Sequence, residues 1–174
     1  MLYLIILLLL PLKGESENII KWTDGQQIDW SVFKGKPDPS SPYDAQLNSG
    51  VRYSYSYESK NGNVKVNFDV FCYMDPNLSW SKKGKQTDYL LGHEQLHFDI
   101  SELHARKLRK ALQEYDFSKN PQKEVEKIFN RITKDRQDMQ NKYDKETDHS
   151  KNKPEQAEWV DFVAQQLAEL NAYK

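Results

Sequence analysis

Residues 91–97 read Leu91-Gly92-His93-Glu94-Gln95-Leu96-His97, the opening of a string, HEQLHFDISELHARKL from His93 to Leu108, that holds neither glycine nor proline. Such a run predicts a helix, with Thr87 as its N-cap and an end near Tyr115. Histidines four apart differ by about 40° around a helix and lie one turn apart along it, so both imidazoles reach one metal ion. Glu94 stands one position off, aimed at a water on that ion rather than at the ion. The pattern arises in roughly 0.6% of shuffled versions of this composition, so coincidence is a weak explanation. It does not extend to H-E-x-x-H-x-x-G-x-x-H, because Ile100 stands at the glycine and Leu103 at the last histidine.

Outward from this helix the chain changes character. All its glycines lie at or before Gly92, so the first half reads as β- and turn-rich and the second as helical. Ile28–Val32 alternates as a short strand, and Pro37, Pro39 and Pro42 mark a loop. Val51, Tyr53, Tyr55 and Tyr57 then share one strand face, and Val64, Val66, Phe68, Val70 and Cys72 share another. Between the two runs lies Asn61-Gly62, the φ > 0 pair of a type I′ turn, which predicts a hairpin. Cys72, the lone cysteine, falls on the apolar face as a buried hydrophobe.

Two further helices are expected. One has Asn120 as N-cap, Pro121 at its first position and a stripe of Val125, Ile128, Phe129, Ile132, Met139 and Tyr143. Arg136 sits on that stripe, which suggests a buried carboxylate partner, with Asp99 the candidate. The other opens around Pro154 and buries Val160, Val163, Leu167 and Leu170. A small antiparallel or mixed sheet followed by three helices is an α+β architecture.

A catalytic zinc takes three protein ligands and keeps one position for water, whose pKa falls to roughly 7. The third ligand is not His104, which lies about 10 Å beyond His97 along the axis. The segment Tyr143–Ser150 is dense in ligand types and falls where the chain turns back toward the first helix. His149 is its first candidate, and Glu146 the second, since a carboxylate also completes a two-histidine set. Tyr143 is placed to donate its hydroxyl to the oxyanion of a tetrahedral intermediate, or to serve as a core tyrosine. Asp99 and Glu102 point away from the metal face and read as structural partners.

The chain has 174 residues, 25 basic and 26 acidic side chains, 37% hydrophobic and 12% aromatic residues. That suits one folded domain, and near-neutral charge excludes the counterion-displacing basicity of a nucleic-acid binder. One cysteine excludes a disulfide framework and a thiolate zinc ribbon. Met1–Leu12 is an apolar run too short to span a bilayer, with Gly14 and Ser16 at −3 and −1 of a cleavage point before Glu17. Residues 1–16 are therefore expected to be a signal peptide and 17–174 the domain, exported to the periplasm or secreted. Contact with the membrane is expected only through an uncleaved leader.

The string HEQLHFDISELHARKL, the later YDKETDH at 143–149, Gln156 and Trp159 together resemble a bacterial family catalogued as predicted secreted zinc-dependent proteases, domain of unknown function 922. Upstream, Trp30, Phe33-Lys34-Gly35-Lys36-Pro37 and Ser79-Trp80 match its landmarks, so the resemblance covers nearly the whole mature chain. It implies a zincin-like fold, His93 and His97 as Zn²⁺ ligands, Glu94 as catalytic acid/base and His149 as third ligand. Ser150 departs from the glycine the family carries after that histidine. The expected activity is endopeptidase hydrolysis of a peptide or protein substrate, with the Val64–Tyr73 strand holding it by its edge. Two alternatives are a non-catalytic cell-envelope binding module using the Val51–Tyr57 strand, and a metallohydrolase of another amide.

Overall fold

A computed structural model describes residues 18–60 and 63–174. The expected leader and the Asn61-Gly62 turn lie outside the described residues. The elements run β1 (Ile20–Lys21), β2 (Ala45–Gln46), β3 (Ser49–Lys60), β4 (Asn63–Met74), β5 (Trp80–Ser81), α1 (Asp88–Gln113), α2 (Gln122–Glu146) and α3 (Lys153–Glu169). This is an α+β arrangement of small antiparallel sheets and three helices.

The two alternating runs pair antiparallel over their whole length, from Ser49 opposite Met74 to Lys60 opposite Asn63. Because side chains alternate with period 2, this register sets Val51, Tyr53 and Tyr55 beside Cys72, Val70 and Phe68 on the face that meets the helices. β1 adds to the other edge of β4 at Tyr73 and Met74, giving the order β1-β4-β3, and β2 pairs with β5 in a separate two-stranded ribbon. Cys72 is buried with its thiol 3.7 Å from the Phe98 carbonyl, and burial pushes that thiol well above its usual pKa, so it is a packing group.

α1 is the central element. Thr87 caps it by accepting from the Leu90 amide, as expected. One side buries Phe98, Ala105, Leu108 and Leu112 against the sheet and α2. The other side brings Leu96 and Ile100 to Tyr143, Trp159 and Val163 of α2 and α3. Each such apolar side chain contributes about 1.5–3 kcal/mol by leaving water, and truncating Phe98 to alanine would cost about 3–5 kcal/mol. Glu102 on the same helix is buried between Arg106 at 3.1 Å and Arg109 at 2.9 Å, a structural ion cluster. His104 is buried too, its Nδ1 2.8 Å from the Ile100 carbonyl, and desolvation lowers its pKa to about 4.

Four local expectations are corrected. Residues Trp30–Val32 form a 3-10 turn, because the Asp29 carboxylate accepts the Ser31 amide at 2.7 Å and closes the chain on itself. α2 begins one residue later than Asn120-Pro121 implies, with Pro121 in the cap position. α3 buries Gln156, Trp159 and Val163, while Val160 is exposed. Arg136 meets no carboxylate: its Nη1 donates to the Ser49 carbonyl and to Ser101 Oγ, both at 3.3 Å. Asp99 instead accepts from Trp22 Nε1 at 2.7 Å and Gln95 Nε2 at 3.0 Å.

Gly35 needs its missing side chain. A Cβ there would lie 2.8 Å from the carbonyl oxygens of both Asn77 and Ser79, and the Gly35 amide donates to Ser79 at 2.8 Å. This close approach locks the loop after the 3-10 turn against the β5 ribbon. No described helix is long and apolar enough to cross a membrane.

Candidate metal centre and cleft

His93 and His97 project from the second and third turns of α1 with ring centroids 4.8 Å apart. Their Nε2 atoms lie 3.2 and 3.1 Å from one oxygen, Asp144 Oδ1, near the end of α2. Among the described residues these three form the group whose ligand atoms all fall within 4.8 Å of one another. Two imidazole nitrogens and a carboxylate oxygen are a donor set that suits zinc. Tetrahedral ligands about 2.0 Å from an ion stand ~3.3 Å apart, so the two N···O separations fit such a centre.

His149 lies at the margin of that group. Its Nδ1 is 3.4 Å from the same Asp144 oxygen, and its ring packs at a tilt against Tyr43 with centroids 4.3 Å apart. The first-choice third ligand is thus near the centre, while Asp144 is the residue grouped with the two helix histidines. Asp148, His149 and Ser150 all adopt positive φ, at 45°, 49° and 73°. Ser150 therefore occupies a left-handed position where the family's glycine would be unstrained. Glu146, the other candidate, is turned away: it accepts from Trp159 Nε1 at 3.0 Å and pairs with Lys142 at 3.7 Å.

Glu94 is buried, and its Oε2 has no hydrogen-bond partner among the described residues. Desolvation raises its pKa to about 7, against the lowering effects of His97 and the Leu47 amide. Burial also lowers the pKa of His93. For His97 it does the same, but the Asp144 hydrogen bond and the Glu94 charge outweigh it and the net shift is upward. Burial pushes Asp144 up, yet hydrogen bonds with the two histidines hold it well below the usual carboxylate range.

Tyr143 is fully buried, stacked on His93 with centroids 4.6 Å apart, and its hydroxyl donates to the His93 carbonyl at 3.4 Å. It is a wall behind the histidines, with its donor already committed to backbone. Tyr89, one turn before His93, carries a buried hydroxyl with no partner.

These groups line a cleft of about 680 Å³ between residues 42–47, the first turns of α1, and residues 144 and 149–151. Tyr89, His93, Glu94, His97, Asp144 and His149 all face it, and Tyr143 does not. The strand beside the cleft is Ala45–Gln46, not the expected Val64–Tyr73, which lies within the central β4 and does not reach the cleft. A second concavity of about 580 Å³ runs between β4 and Phe117 and brings no histidines together. On the tyrosine-bearing strand, Tyr53 and Tyr55 are half-buried against the core, Tyr53 against Phe129 with centroids 4.5 Å apart.

Sequence reasoning missed Gln140, Asp144 as a candidate ligand, and Tyr89. A signal for the first two was present, because buried Gln140 and half-buried Asp144 continue the inner stripe of α2 at helical spacing past Arg136.

A helix-borne histidine pair with a carboxylate neighbour, preceded by antiparallel strands, defines a class of site. Residues 18–150 match the family described as bacterial protein of unknown function (DUF922), and the chain belongs to that family. No curated protein and no solved structure matches the chain significantly.

Proposed function

We propose that the protein is an exported, zincin-like zinc-dependent endopeptidase. The observation that carries this reading is the convergence of His93 Nε2, His97 Nε2 and Asp144 Oδ1 beside the partnerless Glu94 Oε2, inside an open cleft. His93, His97 and Asp144 would hold the ion, with His149 beside them as Asp144's partner or as a further ligand. When bound, zinc would supply Lewis acidity toward the scissile carbonyl and acidify a water.

The remaining work falls to the chain itself. Glu94 Oε2 is the base in this reading, a carboxylate whose proton affinity burial raises in the metal-free site. It takes a proton from the attacking water and passes it to the departing amine nitrogen, so the carboxylate is regenerated. The two-residue β2 strand edges the cleft and offers backbone groups to an extended peptide. Tyr89 lines the cleft and its hydroxyl has no partner among the described residues, so it would donate to the developing oxyanion, the task first assigned to Tyr143.

Purified protein without residues 1–16 should bind close to one zinc per chain and cleave unstructured peptides. Glu94→Gln should keep the ion and lose hydrolysis. Zinc uptake with unimpaired turnover in that variant would refute the reading. Uptake without cleavage of any peptide, but with cleavage of another amide such as a peptidoglycan stem, would move the substrate and leave the chemistry.

A further inference from the structure

Two buried glutamines reach α1 from different helices, and each contacts a histidine through the nitrogen turned away from Asp144. Gln140 of α2 places its Oε1 in a short hydrogen bond with His97 Nδ1. Gln156 of α3 places its Oε1 3.1 Å from His93 Nδ1. Both glutamines are nearly excluded from solvent, at 7% and 5% exposure, within otherwise apolar helix contacts. Buried amides in such a place must be satisfied, and the pattern of their partners fixes which way each one faces.

For Gln140, Nε2 donates to the His97 carbonyl at 2.8 Å and to Ser101 Oγ at 3.2 Å. A backbone carbonyl only accepts, so the nitrogen must be on that side and the oxygen must face the ring. Ser101 supports the same orientation. Its oxygen also receives Arg136 Nη1, which can only donate, while its own proton has acceptors elsewhere, in Ser49 Oγ at 2.8 Å and the His97 carbonyl at 3.2 Å. For Gln156, Nε2 donates to the Tyr89 carbonyl at 3.4 Å, which again turns its oxygen to the ring.

An amide oxygen cannot donate. Both Nδ1 atoms must therefore carry the proton, and a neutral imidazole has only one. The hydrogen bonds to Asp144 therefore need a second proton, on Nε2; in the neutral ring both Nε2 atoms are bare, and both face Asp144 Oδ1, at 3.2 and 3.1 Å. Two lone pairs and a carboxylate oxygen meeting in one place repel unless protons or a metal cation join them. A glutamine does this without adding charge, where an aspartate in its place would add a negative charge behind each ligand.

We propose that Gln140 and Gln156 are positioning residues that fix the Nδ1–H tautomer of His97 and His93, so that both Nε2 lone pairs are presented to one divalent cation shared with Asp144. The cation part of this inference rests on the zinc reading above, and the tautomer part does not. It also links ion affinity to helix packing, since α2 and α3 each supply one of the two acceptors.

The test uses the protein from residue 17 onward, labelled with ¹⁵N and freed of metal. Long-range ¹H–¹⁵N spectra at pH 9, where the rings are neutral, should find the proton on Nδ1 of both His93 and His97. Gln140→Met and Gln156→Met should each release the tautomer of the one ring they touch. Zinc affinity, measured by competition with a chromophoric chelator, should fall about 10–100-fold in each variant. Nε2–H rings in the wild type, or Nδ1–H rings unchanged in both variants, would overturn the proposal. The wild-type spectra decide the first point even if a variant does not fold. Nδ1–H rings in a protein that takes up no zinc would overturn the zinc reading and leave the glutamine assignment standing.

Discussion

Replacing Glu94 with glutamine should make the metal-free protein more stable, by an amount that depends on pH. Glu94 is 3% exposed, and burial raises its pKa from 4.5 to about 7. A shift of about 2.5 units corresponds to about 3 kcal/mol between the protonated and charged forms. The sign follows from the proton count. Below pH 4.5 the carboxyl is protonated in both states and carries no charge to bury. Between 4.5 and about 7 the unfolded chain releases the proton while the folded chain keeps it, so folding loses stability steadily. Above pH 7 both are ionised and the loss stays at its full value. Glutamine has the same shape and no proton to lose. Urea unfolding in excess chelator should therefore find the two proteins similar near pH 4.5. Glu94→Gln should lead by about 2 kcal/mol at pH 6 and about 3 kcal/mol at pH 8. His97 and Asp144 are common to the pair, so only the part of their titration that responds to the Glu94 charge enters the difference. A difference that is flat with pH, or wild type the more stable at pH 8, would refute the claim that Glu94 is a desolvated, unsatisfied carboxyl.

Glu102→Gln should cost about 3–5 kcal/mol in urea unfolding, because it leaves Arg106 and Arg109 without their shared buried carboxylate; a cost below 1 kcal/mol would reject the cluster as a structural element. Ser150→Gly should raise stability by about 0.5–1 kcal/mol, the left-handed penalty at φ 73° less the greater flexibility of the unfolded glycine chain, and thermal unfolding would read it. Tyr89→Phe should lower kcat for a peptide about 10²-fold with the ion retained, whereas Tyr143→Phe should leave kcat within a few-fold; the reverse ranking would restore Tyr143 as the oxyanion donor.

The parts of this fold that the sequence made legible are those governed by local periodicity. The hairpin was readable because eight alternating positions on two strands all agree with one register, from Val51 opposite Cys72 to Tyr57 opposite Val66. α1 was readable because its cap, its length and its motif agree. Ile28–Val32 misleads because five alternating residues are too few to outweigh one carboxylate, that of Asp29, which folds the next two residues back. On α3, Val160 has the composition of a core position, but the buried face is set by Trp159 and Val163 at helical spacing, and Val160 falls one residue off it.

The site itself was half legible for a different reason. His93, Glu94 and His97 announce themselves because their chemistry is encoded in spacing along one helix. Asp144, Gln140 and Gln156 act on that helix from two others, and a polar side chain in an amphipathic pattern ordinarily belongs to the solvent face. Their burial becomes intelligible only with the tertiary contact in hand. The stripe of α2 nonetheless carried a trace of it. Val125, Ile128 and Ile132 give way at the same helical spacing to half-buried Arg136, buried Gln140 and Tyr143, and half-buried Asp144, so the face still packs on α1 while its chemistry turns polar. An apolar core has no use for that sequence of groups. A helix that turns arginine, glutamine and aspartate in successive turns toward the helix carrying HExxH fits the proposed reading, in which its inner face orients ligands and the second half of α2, more than the loop after it, would complete the centre.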